Sequence, residues 1–266
     1  MAKKVSNNSL PKISIVMPVF NGESYIKQAI DSILTQDYPN FELFIKDGGS
    51  KDSTIKILKE YAKKYPLKIR WISKKDQGQA DAINYGLNQI NGEVIAYLNA
   101  DDVYKPGTFK IVGEYFMNNP RKLWLIGKCD IINNQNKEIR KLITFYKNFW
   151  LSIYSYNVLL VLNFISQMAV FWRKEAFEKV GNFDASQYYV MDYDYWLRLG
   201  KVGNPGIIDK YLASFRVINS SKSSTGFIKQ FADEYKVAGK YTKNKLLLNL
   251  HLIHTRIITS VYRILS

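Results

Sequence analysis

Carboxylates at the ends of apolar runs are the residues of this sequence best suited to chemistry. Asp47 follows FELFIK, Asp76 and Asp81 lie in SKKDQGQAD, and the adjacent pair Asp101–Asp102 closes VIAYLNADD. Two neighbouring carboxylates repel each other, so the pair needs a reason to exist. One reason is helix capping, which favours Asp at this kind of position. The other is a hard divalent cation. Mg²⁺ or Mn²⁺ takes oxygen ligands, often only one or two carboxylates, and completes its shell with substrate phosphates. A further acid, Asp192 in MDYDYWLRL, fits either a helix N-terminus or a group that takes a proton from an attacking hydroxyl. His251 and His254 lack acid or Cys partners and are read as surface or interfacial residues. Cys129 is read as core.

The elements that must hold these acids follow from hydrophobic pattern. ISIVM, FELFIK, KIRWI and VIAYL are apolar runs of strand length, and amphipathic helical segments separate them. Repeated strand–helix units predict an α/β fold with a parallel, doubly wound sheet. Ligands bind such sheets beyond the carboxyl ends of the strands. Four polar clusters fall at that edge: PVFNGE, DGGSKD, SKKDQGQAD and NADD. Gly78 to Asp81 precede a helix whose free N–H groups suit an anion or a sugar hydroxyl. The second half is less regular. NNQNKE reads as a hairpin turn between CDII and IRKLI, MAVFW as a strand and KEAFEKV as a helix. Arg173 and Lys174 read as surface charges, Trp172 beside them as a ring able to stack on a sugar, and Arg198 as structural.

Bulk properties narrow the classes. The chain has 266 residues, is 47% hydrophobic and carries a net charge of +15, so an anionic partner is expected: nucleotide phosphates, a membrane surface or nucleic acid. No basic repeat, zinc finger or RNA-binding aromatic pattern supports nucleic acid. A single cysteine excludes an intramolecular disulfide and fits a cytosolic protein. The opening MAKKVSNNSL lacks the apolar core of a signal peptide. The run FWLSIYSYNVLLVLNFI, residues 149–165, reads as a buried or interfacial helix, because its serines and asparagines disfavour a membrane span. The C-terminal KNKLLLNLHLIHTRIITSVYRILS has the pattern of a basic amphipathic helix, lying on anionic lipid or packed on the domain. GxGxxG after the first strand and GxxxxGK[ST] are both absent, which disfavours a dinucleotide fold and a P-loop.

KISIVMPVFNGESYIKQAIDSILTQDYPNFELFIKDGGSKDST, SKKDQGQADAINYGLNQINGEVIAYLNADD, FWRKEAFEKVGNFD and MDYDYWLRL together resemble the family 2 inverting glycosyltransferases, in a bacterial surface-polysaccharide subgroup carrying DGGS. The resemblance spans about 200 of the residues. It implies a GT-A fold, a Rossmann-like parallel-core sheet flanked by helices. Residues 1–220 would form the transferase domain, with a nucleotide-sugar half at about 11–105 and an acceptor half at about 106–220; residues 221–266 would form a helical, membrane-associating extension. Pro18, Val19, Phe20, Asn21 and Glu23 would line the nucleotide, with Asp47 near the base. Gly49, Asp76, Gly78, Asp81, Asn99, Ala100 and Asp101 would complete the donor site. Asp101 and Asp102 would hold Mn²⁺ or Mg²⁺, and Asp192 would be the general base, with Trp172, Arg173 and Asp194 supporting on the acceptor side.

Three positions depart from the family pattern: Asp47 is followed by Gly48 and Gly49, Asn99 opens the DxD motif, and Met191 replaces the first acid of the ED motif. No QxxRW follows, so the resemblance implies addition of a single sugar rather than processive synthesis. The expected partners are a nucleotide-sugar donor carried on UDP (GDP and dTDP stay open), a glycan or lipid-linked acceptor, and an anionic membrane surface on the cytoplasmic side. A metal-dependent nucleotidyltransferase and a non-catalytic basic binding protein are the alternatives.

Overall fold

The computed structural model describes residues 10–218 and 226–265; the basic stretch MAKKVSNNS lies outside the described residues. Four apolar runs make a parallel layer. β1 (Ile13–Val19) is buried along its whole length. It pairs in parallel with β2 (Phe41–Asp47) on one side and β4 (Val94–Tyr97) on the other, and β3 (Ile69–Ser73) joins β2. Strands covered on both faces need apolar residues at most positions, which is why β1, β2 and β4 read as apolar runs, while the edge strand β3 leaves Arg70 exposed. α1 (Ile26–Leu34), α2 (Thr54–Lys64) and α3 (Gln79–Leu87) are the crossovers. In α1 the buried residues Ile26, Ala29, Ile30 and Ile33 keep the helical spacing. The connection changes direction beside β1, so a crevice opens between the carboxyl ends of β1 and β4.

Beyond β4 the sheet is mixed. β7 (Val170–Arg173) runs antiparallel to both β4 and β6 (Trp124–Ile132). β8 (Gly206–Arg216) is parallel to β6, and β5 (Val103–Tyr104) closes the edge antiparallel to β8. The eight strands lie in the order β3-β2-β1-β4-β7-β6-β8-β5. α4 (Thr108–Asn118), α7 (Lys174–Val180) and α8 (Met191–Val202) cover this half.

Two sequence expectations are corrected here. The NNQNKE turn forms, but only one bridge, Ile132–Glu138, follows it; the chain then enters α5 (Lys141–Ser152) instead of returning as a strand. Residues 149–165 are not one helix. α5 ends at Ser152, Ser155 is extended at φ −144°, α6 (Tyr156–Val161) occupies six residues, and Leu162 is extended again. Ser and Asn offer the backbone local alternatives to helix, and this run has two of each.

The C-terminal part forms α9 (Phe227–Tyr241) and α10 (Lys245–Leu265). One face of α10 packs on the domain. His251 is buried, with Nδ1 2.8 Å from the Leu160 carbonyl, which corrects its reading as a surface residue. His254 Nε2 lies 2.8 Å from the Tyr146 hydroxyl. Among the described residues no helix is long and apolar enough to cross a membrane.

Candidate active site

The polar strand ends are fastened to one another before they meet any ligand. Asn21, in the left-handed region at φ 50°, donates its N–H to Ser50 Oγ at 2.7 Å and accepts from the Lys51 N–H at 2.9 Å. Glu23 donates its N–H to Asp52 at 3.0 Å and accepts from the Ser53 N–H at 2.8 Å. The loop after β1 is thus stitched to the loop after β2. Glu23 faces that seam and not the large cavity described below. Pro18 and Val19 line the cavity, and Phe20 stands at its rim, 64% exposed.

Asp47 is fully buried and organises its own loop. It accepts from the Gly49 N–H at 2.9 Å, the Ser50 N–H at 3.0 Å and the Ser73 hydroxyl at 2.6 Å. Its carboxylate does not reach the cavity; Gly48 does. The two glycines have separate causes. A Cβ on Gly48 would meet Asp76 Oδ2 at 2.9 Å, and Gly49 sits at φ +90°, where side chains are strained. Asp76 lines the cavity, accepts from the Gly78 N–H at 3.1 Å and pairs with Lys46 Nζ at 3.3 Å. Lys46 is buried and also donates to the carbonyls of Asp47 and Lys74. Gly78 lines the cavity; Asp81 does not, and instead accepts from the Gln77 N–H at 3.1 Å, within the first turn of α3.

The acidic pair after β4 divides its work. Asp101 faces the cavity beside Asn99 and Ala100. Asp102 lies behind it, fully buried, accepting from the Arg216 N–H at 2.9 Å and from Asn99 Nδ2 at 3.1 Å. Asn99 Oδ1 in turn accepts from Gln79 Nε2 at 2.7 Å. The buried Arg216 guanidinium, from the end of β8, binds the Asp101 carbonyl at 2.8 Å and the Asn133 carbonyl at 2.8 Å. Burial pushes the Asp101 carboxyl above its ordinary range, against the pull of Arg216. Burial, and then the Asp101 charge, pushes Asp102 up further.

A divalent cation beside Asp101 would favour the charged form of both. Among the described residues no cluster of three or more His, Cys, Asp or Glu gathers as a cage. Of the two expected metal ligands only Asp101 faces the cavity, which corrects the reading of Asp102, enclosed by its bonds to the Arg216 N–H and Asn99. A single carboxylate would suit Mg²⁺ or Mn²⁺, which take their remaining oxygens from water and substrate phosphate.

Asp192 enters the same cavity from the other half of the molecule, in the first turn of α8. The N-cap of α8 is Val190, so Asp192 is not the cap, and its Oδ1 accepts from the Tyr193 N–H at 2.8 Å. The amino end of a helix favours negative charge there. The cavity measures about 1010 Å³ and runs from the β1 and β4 ends to α8, α9 and α10. The buried Tyr97 lies between the two acidic centres: burial raises its hydroxyl well above the ordinary value, and Asp192 and Asp102 both add to the effect.

Two charged residues of this region carry no sequence signal. Lys147 of α5 is half-buried, with its ammonium end desolvated in the cavity. Burial lowers its pKa, while Cys129, Asp192 and Glu234 oppose the shift. Glu234 of α9 is buried, bonded by Gln230 at 3.2 Å and Asn163 at 3.3 Å. Burial, with Asp192 adding, pushes its carboxyl up to about 7. A carboxyl held near 7 is shared between its neutral and charged forms at neutral pH.

Three supporting assignments are corrected. Trp172 is fully buried, packed on Phe183, Tyr195 and Trp196, because β7 has neighbours on both sides; it cannot stack on a sugar. Arg173 binds the carbonyls of Lys122 at 3.0 Å and Phe116 at 2.7 Å, away from the cavity. Asp194 pairs with Arg198 at 3.0 Å and accepts from the Tyr241 hydroxyl at 2.7 Å, so it ties α9 to α8.

Comparison with known proteins agrees with this architecture. The model of glycosyl transferase family 2 matches residues 14–181. An uncharacterized glycosyltransferase of Rickettsia typhi is 31% identical over 226 residues, 82% of this chain and 68% of that protein. The minor teichoic acid biosynthesis protein GgaB of Bacillus subtilis is 36% identical over 115 residues, 42% of this chain and 13% of that protein. Staphylococcus aureus TarS 1–349 in complex with UDP superposes with a TM-score of 0.64 at 19% identity, covering 92% of this chain and 70% of that one. The Pyrobaculum calidifontis mannosyltransferase PcManGT in complex with GDP-Man and Mn²⁺ gives 0.67 at 16% identity, covering 91% and 69%. At these identities the solved structures establish the fold, which is of the GT-A type. With the family model covering most of its length, the chain belongs to glycosyl transferase family 2 and is a glycosyltransferase.

Proposed function

We propose that the protein transfers a single sugar, with inversion, from a nucleoside-diphosphate sugar to a hydroxyl of a glycan or lipid-linked acceptor in bacterial surface-polysaccharide synthesis. The observation that carries this reading is that Asp101, at the end of β4, and Asp192, at the start of α8, face one cavity from different halves of the molecule. Inversion needs that arrangement: the leaving diphosphate is held on one face of the sugar and the acceptor hydroxyl is deprotonated on the other.

The nucleotide lies between Pro18, Val19, Asp76 and Gly78, with Phe20 at the rim. Asp101 holds Mn²⁺ or Mg²⁺, and Asp102 and Arg216 hold Asp101 in place. The cation, when bound, stabilises charge developing on the leaving phosphate. Asp192 takes the acceptor proton. Glu234 and Lys147 set the charge around it. UDP is the favoured carrier, supported by the UDP complex of TarS; the GDP-Man complex of the mannosyltransferase keeps GDP in view. The teichoic acid name of GgaB and the DGGS loop support a surface-polymer acceptor. Residues 1–220 form the transferase domain in this reading, and residues 221–266 a helical extension whose α10 associates with the inner face of the cell membrane.

Incubation with UDP-, GDP- and dTDP-sugars, Mn²⁺ and a panel of glycan acceptors tests the reaction. Release of nucleoside diphosphate with a glycoside of opposite anomeric configuration is expected. Release of pyrophosphate from a nucleoside triphosphate, with sugar nucleotides left intact, would mark a nucleotidyltransferase instead.

A further inference from the structure

Two helices beside the cavity carry apolar stripes that face solvent. On α5, Leu142 and Phe145 are 85% and 72% exposed, and Phe149 and the following Ile153 are also exposed. The steps of three, four and four residues put them on one helix face. On α10, Leu246 and Ile257 are 65% and 59% exposed, with Leu250 and Ile253 exposed between them. Steps of four, three and four again make one face. Single exposed apolar residues are ordinary, but eight in two helical registers are not.

The stripes adjoin. α5 and α10 meet at Tyr146 and His254, whose rings stack with centroids 6.2 Å apart and an interplanar angle of 4°. Leu142 and Phe149 lie one turn either side of Tyr146, and Leu250 and Ile257 one turn either side of His254. The faces turned away from the stripes are packed on the protein, through Thr144 and Leu151 on α5 and His251 on α10. Tyr146 and His254 also line the cavity that contains Asp192. The edge of the apolar platform is thus the rim of the acceptor end.

Charge identifies the occupant. Neither helix contains an Asp or Glu; their charged residues are Lys141, Lys147, Lys245, Arg256 and Arg263. Across the chain Lys and Arg number 38 against 23 Asp and Glu. Lys147 lies in the cavity, and Glu138, just before α5, pairs with Lys141. Outside the cavity, an apolar face on helices whose own charges are all cationic matches an anionic lipid leaflet, where apolar side chains enter the acyl boundary and cations meet headgroups.

We propose that α5 and α10 form one two-helix platform that seats in an anionic leaflet and places the Tyr146–His254 seam, and with it the cavity mouth, at the lipid surface. Seating depends on the surface alone. Delivery of a lipid-linked acceptor to Asp192 through that mouth rests on the transferase reading above. The platform assigns α5 an equal share, so it differs from anchoring by the C-terminal helix.

Flotation of the full chain with vesicles tests it, using phosphatidylcholine alone and an equimolar phosphatidylcholine–phosphatidylglycerol mixture. The variants are Phe145→Ser with Phe149→Ser on α5, and Ile253→Ser with Ile257→Ser on α10. All four side chains are exposed and none lines the cavity. The wild type is expected to bind only the mixed vesicles, less so in high salt. Each pair should weaken binding by about tenfold or more, as expected from two large apolar side chains leaving lipid. Thermal melting and donor binding in solution should be unchanged in both variants.

Unchanged vesicle binding in the α5 pair would overturn the two-helix platform. So would a wild-type dimer, seen by light scattering without lipid, that either pair converts to monomer, because the face would then belong to a second copy. Failed flotation with intact donor binding defeats the platform and spares the transferase reading; failed donor binding with intact flotation does the reverse.

Discussion

The two ends of the cavity are built in different ways. The end assigned to the donor in the proposed reading is made of loops that fasten one another: Asp47 holds the DGGS turn, Asn21 and Glu23 stitch the loop after β1 to Lys51 and Ser53 just beyond it, and Asn99, Asp102 and Arg216 brace Asp101 from behind. The end assigned to the acceptor in the proposed reading is a wall of helices from three distant stretches, α5, α8 and the α9–α10 pair, with a desolvated lysine and a buried glutamate of raised pKa near Asp192. The polar groups of the donor end bind each other before any ligand arrives, which lowers the ordering cost of binding a phosphate. The acceptor end relies on shape and on a small set of buried charges. Donor recognition and proton transfer should therefore separate under mutation.

The sharpest separation is at Asp192. Asp192→Asn should lower turnover on the order of 10²–10⁴-fold, the usual effect of losing a general base. Donor affinity, measured by calorimetry, should stay at the wild-type value.

The bracing of the donor end is broken by Arg216→Met. It removes the buried cation behind the acidic pair and should cost on the order of 3–5 kcal/mol in denaturant unfolding, as loss of one partner of a buried charge cluster does. Added Mn²⁺ should recover part of that loss, because a cation at Asp101 replaces some of the missing positive charge.

Glu234 tests the acceptor end through pH. Its ordinary value is 4.5 and its folded value about 7, so the folded chain holds a proton that the unfolded chain has released. The stabilisation is complete below the lower value and is lost as pH rises through the upper one. Glu234→Gln should therefore match the wild type near pH 5 and melt higher near pH 8, by on the order of 5 °C. An equal offset at both pH values would show that the side chain acts through packing alone.

The smallest effect is expected at Tyr241→Phe, which removes one hydrogen bond to Asp194 across the α8–α9 contact. It should cost about 1 kcal/mol in unfolding and leave donor affinity and the turnover pH profile unchanged.

The same contrast explains what the sequence revealed. β1, β2 and β4 were legible because strands enclosed by the sheet and its helices are mostly apolar, the edge strand β3 because Ile69, Trp71 and Ile72 still make a short apolar run, and each loop is a contiguous stretch following its strand. β8 was not legible. GIIDKYLASFR mixes exposed and buried positions irregularly, and its pairing with β6 shifts register twice between Gly127 and Cys129. Arg216 follows from β8, so the counter-charge of the acidic pair was hidden as well. Lys46 did leave a signal, as a cation near the end of a strand whose other positions are mostly apolar. Trp172 misled because Arg173 follows it; only the pairing of β7 on both sides shows that the ring is enclosed. Glu234 had no signal at all, since an acid on an amphipathic helix reads as solvent-facing until α9 is placed over the cavity. Acceptor sites assembled from distant helices are poorly visible in sequence for this reason.

Titration of UDP- and GDP-sugars with and without Mn²⁺ into the wild type, Asp101→Asn and Asp192→Asn tests the central claim most directly. The division of the cavity predicts Mn²⁺-dependent binding in the wild type, the same binding in Asp192→Asn, and loss of the metal-dependent part in Asp101→Asn. Metal-dependent binding that survives in Asp101→Asn, or that disappears in Asp192→Asn, would contradict it.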